Sequence, residues 1–362
     1  MEYRFDDILE IKNGKNQKAV ENPEGCYPIY GSGGVIGYAN DYICEADTVI
    51  IGRKGSINNP IYVSQPFWNV DTAFGLSVKT DLVLPRYLYY FCKKFDFEKL
   101  NKTVTIPSLT KSDLLKVKIT VPGKKEQQAI IDKLMKIESI IAHRKEELDY
   151  LDLLIKARFV EMFGTLKNPT KTFEKATLKE LCTKITDGKH GGCKSKEGTK
   201  RYFVGAREIY DDKVHYDSAP EINIEEFEKD YKRCNVEIGD FLIVNTGATI
   251  GKSAIASDMR TEHTLLQKSV ALLKVKKEVL NSVFLKWCYR INTQMYMVES
   301  ASAQPNLLLS KINTTVIYVP DIELQNRFAD FEEQVNKSKV KVQKALDETQ
   351  KLFDSLMQQY FG

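Results

Sequence analysis

One stretch of this sequence occurs twice, and no other feature constrains the fold as much. Residues 107–164 return without a gap as residues 305–362. A shift of 198 carries Leu109 onto Leu307, Ser112 onto Ser310, Ile119 onto Ile317, Val121 onto Val319 and Pro122 onto Pro320, then Gln127 onto Gln325, Phe163 onto Phe361 and Gly164 onto Gly362. Each copy reads as a short strand ending in Val-Pro, a long helix, and a stop at an aromatic residue followed by glycine. The chain is therefore two half-molecules in tandem.

What precedes each copy also matches. Phe5–Gly14 and Leu178–Gly188 both open as a short amphipathic element closed by a glycine turn. Buried-strand runs at Asp47–Gly52 and Asp240–Val244 are each followed by a polar glycine loop, Arg53–Pro60 and Asn245–Ser253. Alternating half-buried strands follow at Phe74–Lys79 and Ser269–Lys276, then short helices at Pro85–Cys92 and Val283–Arg290. The expected fold is α+β, with two tandem strand-rich domains, each followed by a long helix. The expected boundaries are a first domain at 1–122, its helix at 123–164, a linker at 165–175, a second domain at 176–320 and its helix at 321–362. The second half starts 174 residues after the first but ends 198 after it, so about two dozen residues are inserted. The expected place is between Lys189 and Cys234, where surface loops carry specificity.

In the first long helix Ile130, Leu134, Ile137, Ile141, Leu148, Leu151, Ile155 and Met162 recur in heptad steps, with Arg144 and Arg158 at intervening seam positions. The second stripe is rougher: Phe328, Phe331, Val335, Val342, Leu346, Leu352 or Phe353, Leu356 and Tyr360. About 41 residues at 1.5 Å each make a rod of roughly 60 Å, too long to bury its stripe on one small domain. The two helices are expected to pack on each other as an antiparallel coiled coil with pseudo-two-fold symmetry, Arg144 and Lys339 helping to fix the register and Asp321 capping the second helix. The alternative is self-association through each seam.

Catalytic motifs fail on spacing. Gly247-Ala-Thr-Ile-Gly-Lys-Ser253 has three residues between its glycines where a phosphate-binding loop needs four. Gly31-x-Gly33 lacks the third small residue of a dinucleotide fingerprint, since Ile36 stands there. Cys182, His190, Cys193 and His215 match no familiar zinc spacing. Asp211-Asp-Lys213 is too short to count as a nuclease cluster, and Asn59-Pro-Ile-Tyr62 lacks the second proline of a methyltransferase motif. The aromatic residues of the short helices read as core.

Composition narrows the setting. The net charge is +4 and the pI about 8.4, which permits nucleic-acid binding without demanding it. Seven scattered cysteines without a C-x-x-C fit free thiols. No apolar run is long enough to span a membrane, and the first residues are acidic and polar where a signal peptide would be basic and then apolar. The expectation is a soluble, cytoplasmic protein without disulfides or membrane contact.

Taken in order and doubled, these motifs resemble the specificity subunit of type I restriction-modification systems over essentially the whole chain. The residues that carry the resemblance are Tyr30–Gly37 (Tyr-Gly-x-Gly-Gly-x-Ile-Gly), the Gly-[Ser/Thr]-Ile turn of each half, Val-Pro followed by Glu126-Gln127-Gln128, and Lys156–Gly164. The second copy departs from the pattern at Leu324-Gln-Asn, where Glu-Gln is expected. The resemblance implies a non-catalytic reader of double-stranded DNA, with one target recognition domain for each half of a split sequence and the helix pair setting the spacer. It implies two methyltransferase subunits as partners, carrying S-adenosylmethionine and methylating adenine, and motor-nuclease subunits using ATP and magnesium. The chain itself would bind no cofactor.

For DNA contacts the expected residues are Arg53, Lys54, Asn58 and Asn59 in the first domain. In the second they are Lys189, Lys194, Lys196, Lys200 and Arg201, where five basic residues meet one acid, Glu197, together with Thr246 and Lys252. Three other readings stay open at this point: a nucleotide-dependent enzyme built on residues 247–253, a coiled-coil scaffold without DNA specificity, and a DNA reader serving a methyltransferase without a motor-nuclease.

Overall fold

The structure, a computed structural model, describes residues 1–103, 106–295 and 306–362. Pro305, where the second copy of the repeat begins, lies outside the described residues. Contacts divide the chain into two compact units, Met1–Glu146 with Val342–Gly362, and Glu147–Lys341. Each unit thus holds one strand-rich domain and a part of both long helices.

In unit 1, β1 (Glu2–Arg4) runs into a single helical turn, α1 (Phe5–Ile8), and β2 (Leu9–Asn13). β3 (Tyr27–Gly31) and β4 (Gly34–Ala39) form a hairpin. Then come β5 (Thr48–Gly52), β6 (Ile61–Val63), β7 (Trp68–Asn69), β8 (Ala73–Val78), α2 (Pro85–Lys94), α3 (Lys111–Leu114), β9 (Lys118–Thr120) and the first part of α4 (Lys124–Phe163). The main sheet has the order β2-β8-β5-β6 and a second sheet the order β4-β3-β7. β5 is inside on both faces, which is why Thr-Val-Ile-Ile-Gly reads as an unbroken apolar run and not as an alternation.

In unit 2 the rest of α4 is followed by β10 (Glu174–Thr177), the turn α5 (Leu178–Leu181), β11 (Cys182–Asp187), β12 (Tyr202–Val204), β13 (Ile209–Tyr210), β14 (Lys213–Val214) and α6 (Ile224–Tyr231). β15 (Phe241–Val244), β16 (Ser253–Ile255), β17 (Thr264–Leu266), β18 (Val270–Val275), α7 (Ser282–Ile291), α8 (Leu309–Thr314), β19 (Val316–Val319) and the first part of α9 (Ile322–Phe361) complete it, the rest of α9 belonging to unit 1. Its main sheet, β11-β18-β15-β16, repeats the order of unit 1. The parallel pair β12–β17 repeats β3–β7, and the antiparallel pair β10–β19 repeats β1–β9.

The repeat extends to single hydrogen bonds. Gln127 and Gln325 are both fully buried. Oε1 of Gln127 accepts the Leu84 N–H at 2.8 Å, and its Nε2 donates to the carbonyls of Leu82 and Pro122. Oε1 of Gln325 accepts the Asn281 N–H at 2.9 Å, and its Nε2 donates to Val279 and Pro320. Each glutamine thereby ties the start of its long helix to the start of a short one, α2 in unit 1 and α7 in unit 2. A glycine matches likewise: a Cβ on Gly14 would lie 1.9 Å from the Val70 carbonyl oxygen, and one on Gly188 would lie 2.2 Å from the Leu266 carbonyl group, so neither strand end admits a side chain.

The units differ where the longer second half predicts. β3 ends at Gly31 and β5 begins at Thr48, with only β4 between them. β12 ends at Val204 and β15 begins at Phe241, and the hairpin β13–β14 and helix α6 fill the interval.

The long helices pack antiparallel within each unit. In unit 1, Lys133 donates to the Tyr360 hydroxyl at 2.9 Å, and further along α4 the Arg144 guanidinium donates to the Ala345 carbonyl and the Thr349 hydroxyl. In unit 2, Lys339 pairs with Asp152 and the Arg158 guanidinium lies over the Phe331 ring. As the α4 number rises, the α9 number falls. Of the seam residues, Ile130, Leu134, Ile137, Ile141, Ile155, Phe328, Val335, Leu346 and Phe353 are buried. Leu148, Leu151, Val342 and Leu356 are half-buried. Phe353 takes the inward place that the sequence leaves open between it and Leu352, which is 52% exposed. Phe159 and Met357, both buried, also belong to the seam. The Asp321 carbonyl accepts from the Leu324 and Gln325 N–H groups at the start of α9. Gly164 closes α4 with a φ of +73°.

A glutamate on the long helix anchors each domain. In unit 1, Glu138 accepts from the Tyr90 hydroxyl at 2.7 Å and pairs with Lys93 at 2.6 Å. In unit 2, the buried Glu332 accepts from the Trp287 indole N–H at 2.7 Å and pairs with the buried Lys286 at 2.7 Å. The aromatic residues of α2 and α7 are thus core, with Phe159 packing against Phe284 and Trp287. No helix among the described residues is long and apolar enough to cross a membrane.

Candidate nucleic-acid interface

Each unit carries a polar loop between the two strands at one side of its main sheet, and a repeated residue pair, Ser108-Leu109 or Asn306-Leu307, holds that loop. In unit 1 the loop follows β5. The Arg53 carbonyl accepts the Leu109 N–H at 2.9 Å, and Lys54 bridges Ser108. In unit 2 the loop follows β15. The Asn245 carbonyl accepts the Leu307 N–H at 2.7 Å, and Thr246 bridges Asn306. Leu109 and Leu307 are both buried and act as the pegs. Gly55 and Gly247, with φ of +80° and +98°, let the chain turn back in each loop.

Within the first loop the expected residues have different surroundings. The Arg53 guanidinium lies 5.8 Å from the centre of the Phe74 ring, half-buried. Lys54 and Asn59 are exposed. Asn58 is exposed as a residue, yet both ends of its amide are engaged. Nδ2 donates to Asp96 at 3.0 Å, and Oδ1 accepts the Phe97 N–H at 2.7 Å, so its side chain fixes the loop to the turn after α2. The β3–β4 hairpin tip stands beside this loop, since a Cβ on Gly52 would lie 3.1 Å from the Cβ of Ser32.

In unit 2 the structure sorts the expected residues into three places. Thr246 lines a groove with Asp187, His190, Lys268 and Asn306. Lys189, next to His190, is held by Asp230 at 2.7 Å, and this bond raises its pKa. Lys194, Lys196 and Lys200 are exposed on the segment between β11 and β12. The Arg201 guanidinium stacks over the Phe227 ring of α6 at 5.1 Å. Lys252 lies apart, beside Tyr210, Asp211, Asp212 and Arg290.

The single acid counted along residues 189–201 understates the local charge. Folding brings Asp230 to Lys189, Glu226 to the Lys194 N–H at 2.7 Å and Glu221 to the Lys200 N–H at 3.1 Å. These acids come from α6 and the strand-like segment before it, some 20 to 40 residues on, where spacing along the chain gives no signal. Asp187 lies at the groove. Burial raises its pKa, but hydrogen bonds from Arg233 and His190 outweigh that and hold it below the ordinary carboxylate value.

The strings that resemble catalytic motifs occupy unsuitable places. Residues 247–252 are a hairpin loop between β15 and β16, and Ser253 opens a strand where a phosphate-binding loop would open a helix. Gly31 and Gly33 lie at the β3–β4 hairpin. Cys182 is buried at the start of β11, His190 bonds Asp187, and His215 stacks on Tyr210. Among the described residues, no group of three or more His, Cys, Asp or Glu could hold a metal ion. The seven cysteines are free thiols, and burial pushes the Cys44 and Cys182 thiols up to about 12.

Comparison with known proteins gives these loops a context. The family model described as type I restriction modification DNA specificity domain matches residues 1–150 and again residues 170–349. A putative type I specificity subunit of Mycoplasma pneumoniae, S.MpnORF285P, is 28% identical over 167 residues, covering 41% of this chain and 55% of that protein. The type I restriction enzyme MjaIX specificity subunit of Methanocaldococcus jannaschii is 28% identical over 142 residues, covering 38% of this chain and 31% of that protein. The chain thus spans about half the length of the former and about a third of the latter.

Among solved structures, the type I restriction-modification S subunit from M. genitalium superposes with a TM-score of 0.62 at 17% identity, over all of this chain and 96% of that one. A chain from a study of complex assembly and conformational transition of the type I R-M system gives 0.63 at 15% identity, over all of this chain and 97% of that one. At such identities the likeness concerns the fold. The family match falls once on each half of the chain, where sequence and structure both repeat, and the chain therefore belongs to the type I restriction-modification DNA specificity domain family, a specificity component and not a catalytic one.

Proposed function

We propose that this chain reads a bipartite DNA sequence, one half with each unit, and delivers that specificity to methyltransferase and motor-nuclease subunits of a type I restriction-modification assembly. The observation that carries the reading is the double family match on two units that each present a loop pinned by the matching leucines Leu109 and Leu307. The loops would meet the DNA: Lys54 and the lysines at 194, 196 and 200 as phosphate contacts, Asn59, Thr246 and Arg201 nearer the base edges. Asn58 would act by holding its loop in place. The antiparallel helix pair would set the unspecified spacer, since a helix of this length is on the order of 60 Å, a little under two turns of duplex. S-adenosylmethionine, ATP and magnesium would be bound by the partner subunits.

The deciding experiment is the adenine methylation map of host DNA with and without the gene. Loss of one split motif on deletion supports the proposal. An unchanged map in the presence of active methyltransferase partners would sink it.

A further inference from the structure

We infer that Val35 and Ile36 of β4 are base-reading residues of unit 1 that recognise the C5-methyl group of thymine in the major groove of duplex DNA. The inference rests on the DNA-reading role proposed above and assigns it a chemistry.

The observation is a break in strand alternation. β3 and β4 pair with Ile29 opposite Gly37 but Tyr30 opposite Val35, so β4 carries one extra residue at Ile36. In a regular strand, consecutive side chains point to opposite faces, and one of Val35 and Ile36 would be inside. The bulge turns both outward, and they are 51% and 57% exposed. About half of each of these two adjacent β-branched residues stands in water, and neither belongs to the buried core.

Their neighbours say what covers them. Ser32 at the same hairpin tip stands against Gly52 and Gly55 of the polar loop that carries Lys54 and Asn59, so the aliphatic pair and the cationic loop share one edge of the unit. Glu21 lies one residue further along β4, its carboxylate 3.6 Å from where a Cβ on Gly37 would stand. The tip Gly31-Ser32-Gly33-Gly34 bears one small side chain, which allows a backbone or groove wall to come close. A phosphate chain suits the cationic loop but gives an aliphatic side chain nothing to bind. The one aliphatic group that a base pair offers in the major groove is the thymine methyl. The corresponding segment of unit 2 forms no such hairpin, since β12 leads through Gly205 into the short 3-10 turn Ala206–Glu208.

The test uses the full chain with its methyltransferase partners, bound to duplexes that carry the motif found in the methylation map. Each thymine is replaced in turn by deoxyuridine, which removes only the methyl group. Native protein is expected to lose about fourfold in affinity for each methyl it covers, at one or two thymines of the half-motif that changes when residues 1–122 are exchanged. The Val35→Ala/Ile36→Ala variant is expected to bind the deoxyuridine and thymine duplexes alike at those positions, while methylation set by the other half-motif stays as in the native protein. The inference falls if native binding is indifferent to every deoxyuridine in that half, if the half has no thymine on either strand, or if the variant remains as methyl-sensitive as the native chain. It also falls if the variant loses self-association or partner-subunit binding with methyl sensitivity unchanged, which would assign the patch to a protein. If no motif depends on the chain at all, the DNA-reading role itself is lost, a different failure.

Discussion

Gln127 and Gln325 make the same three hydrogen bonds in the two units, joining the N-terminus of α4 to that of α2 and the N-terminus of α9 to that of α7. A fully buried primary amide with every bond satisfied is costly to alter, because the carbonyl and N–H groups around it have no water to turn to. Gln325→Ala is expected to lower the stability of unit 2 by about 2–4 kcal/mol, and Gln127→Ala to do the same to unit 1. Gln325→Glu should not rescue, since a carboxylate cannot donate to Val279 and Pro320. Urea unfolding followed by the fluorescence of Trp287 for unit 2 and Trp68 for unit 1 would check both.

The seam prediction separates two neighbours. Phe353 is 5% exposed and Leu352 is 52% exposed. Phe353→Ala is expected to cost about 3–5 kcal/mol, and Leu352→Ala no more than about 0.5 kcal/mol. Equal effects in thermal or chemical denaturation would show that the inward face of α9 has been misassigned.

Glu332 receives both the Lys286 ammonium and the Trp287 indole inside unit 2. Glu332→Ala is expected to destabilise by about 3–5 kcal/mol, most of it the cost of a buried lysine left with only Asp212, 3.9 Å away. The double variant Lys286→Met/Glu332→Leu should recover most of the loss. A double-mutant cycle on unfolding free energy measures the difference.

Asp187 gives a pH dependence. Its carboxyl is held below its unfolded value, so the stability it contributes is fully present above about pH 4 and is lost as the pH falls through its folded value. The gap in urea midpoint between native chain and Asp187→Asn should be widest near neutrality and shrink as the pH is lowered toward about 3. A gap that widens in acid would have the wrong sign.

Lys54 is an exposed cation on a pinned loop. Lys54→Ala is expected to weaken binding of the motif and of unrelated duplex by a similar factor and to reduce the slope of log affinity against log salt by about one. Titrations at several salt concentrations distinguish this from a base contact, which would alter the motif preference instead.

The repeat made the fold legible, because a shift that superposes Val-Pro, Gln and Phe-Gly punctuation also superposes strands, caps and seams. Where the pattern was a single apolar run, as at residues 48–52 and 241–244, the strand was readable to within a residue. The site was less legible. Asn58 looks like a free polar side chain until Asp96 and Phe97 are brought to it, and Lys189 looks like a free cation until α6 delivers Asp230. Sequence counts charges along the chain, whereas electrostatics acts across it. The exposure of Val35 and Ile36 was hidden for another reason, since a bulge is a matter of register with a partner strand and two aliphatic neighbours look buried until that register is known.

Residues 342–362 complete unit 1, whose other residues are 1–146. In order of synthesis, unit 1 is therefore begun before unit 2 and finished after it. The buried face of α4 around Ile130, Leu134, Ile137 and Ile141 has to wait for Phe353 and Met357, about two hundred residues later. An interrupted chain would carry a fully translated first recognition domain on an unclosed helix, open to proteolysis and to rescue by the matching stretch of another molecule.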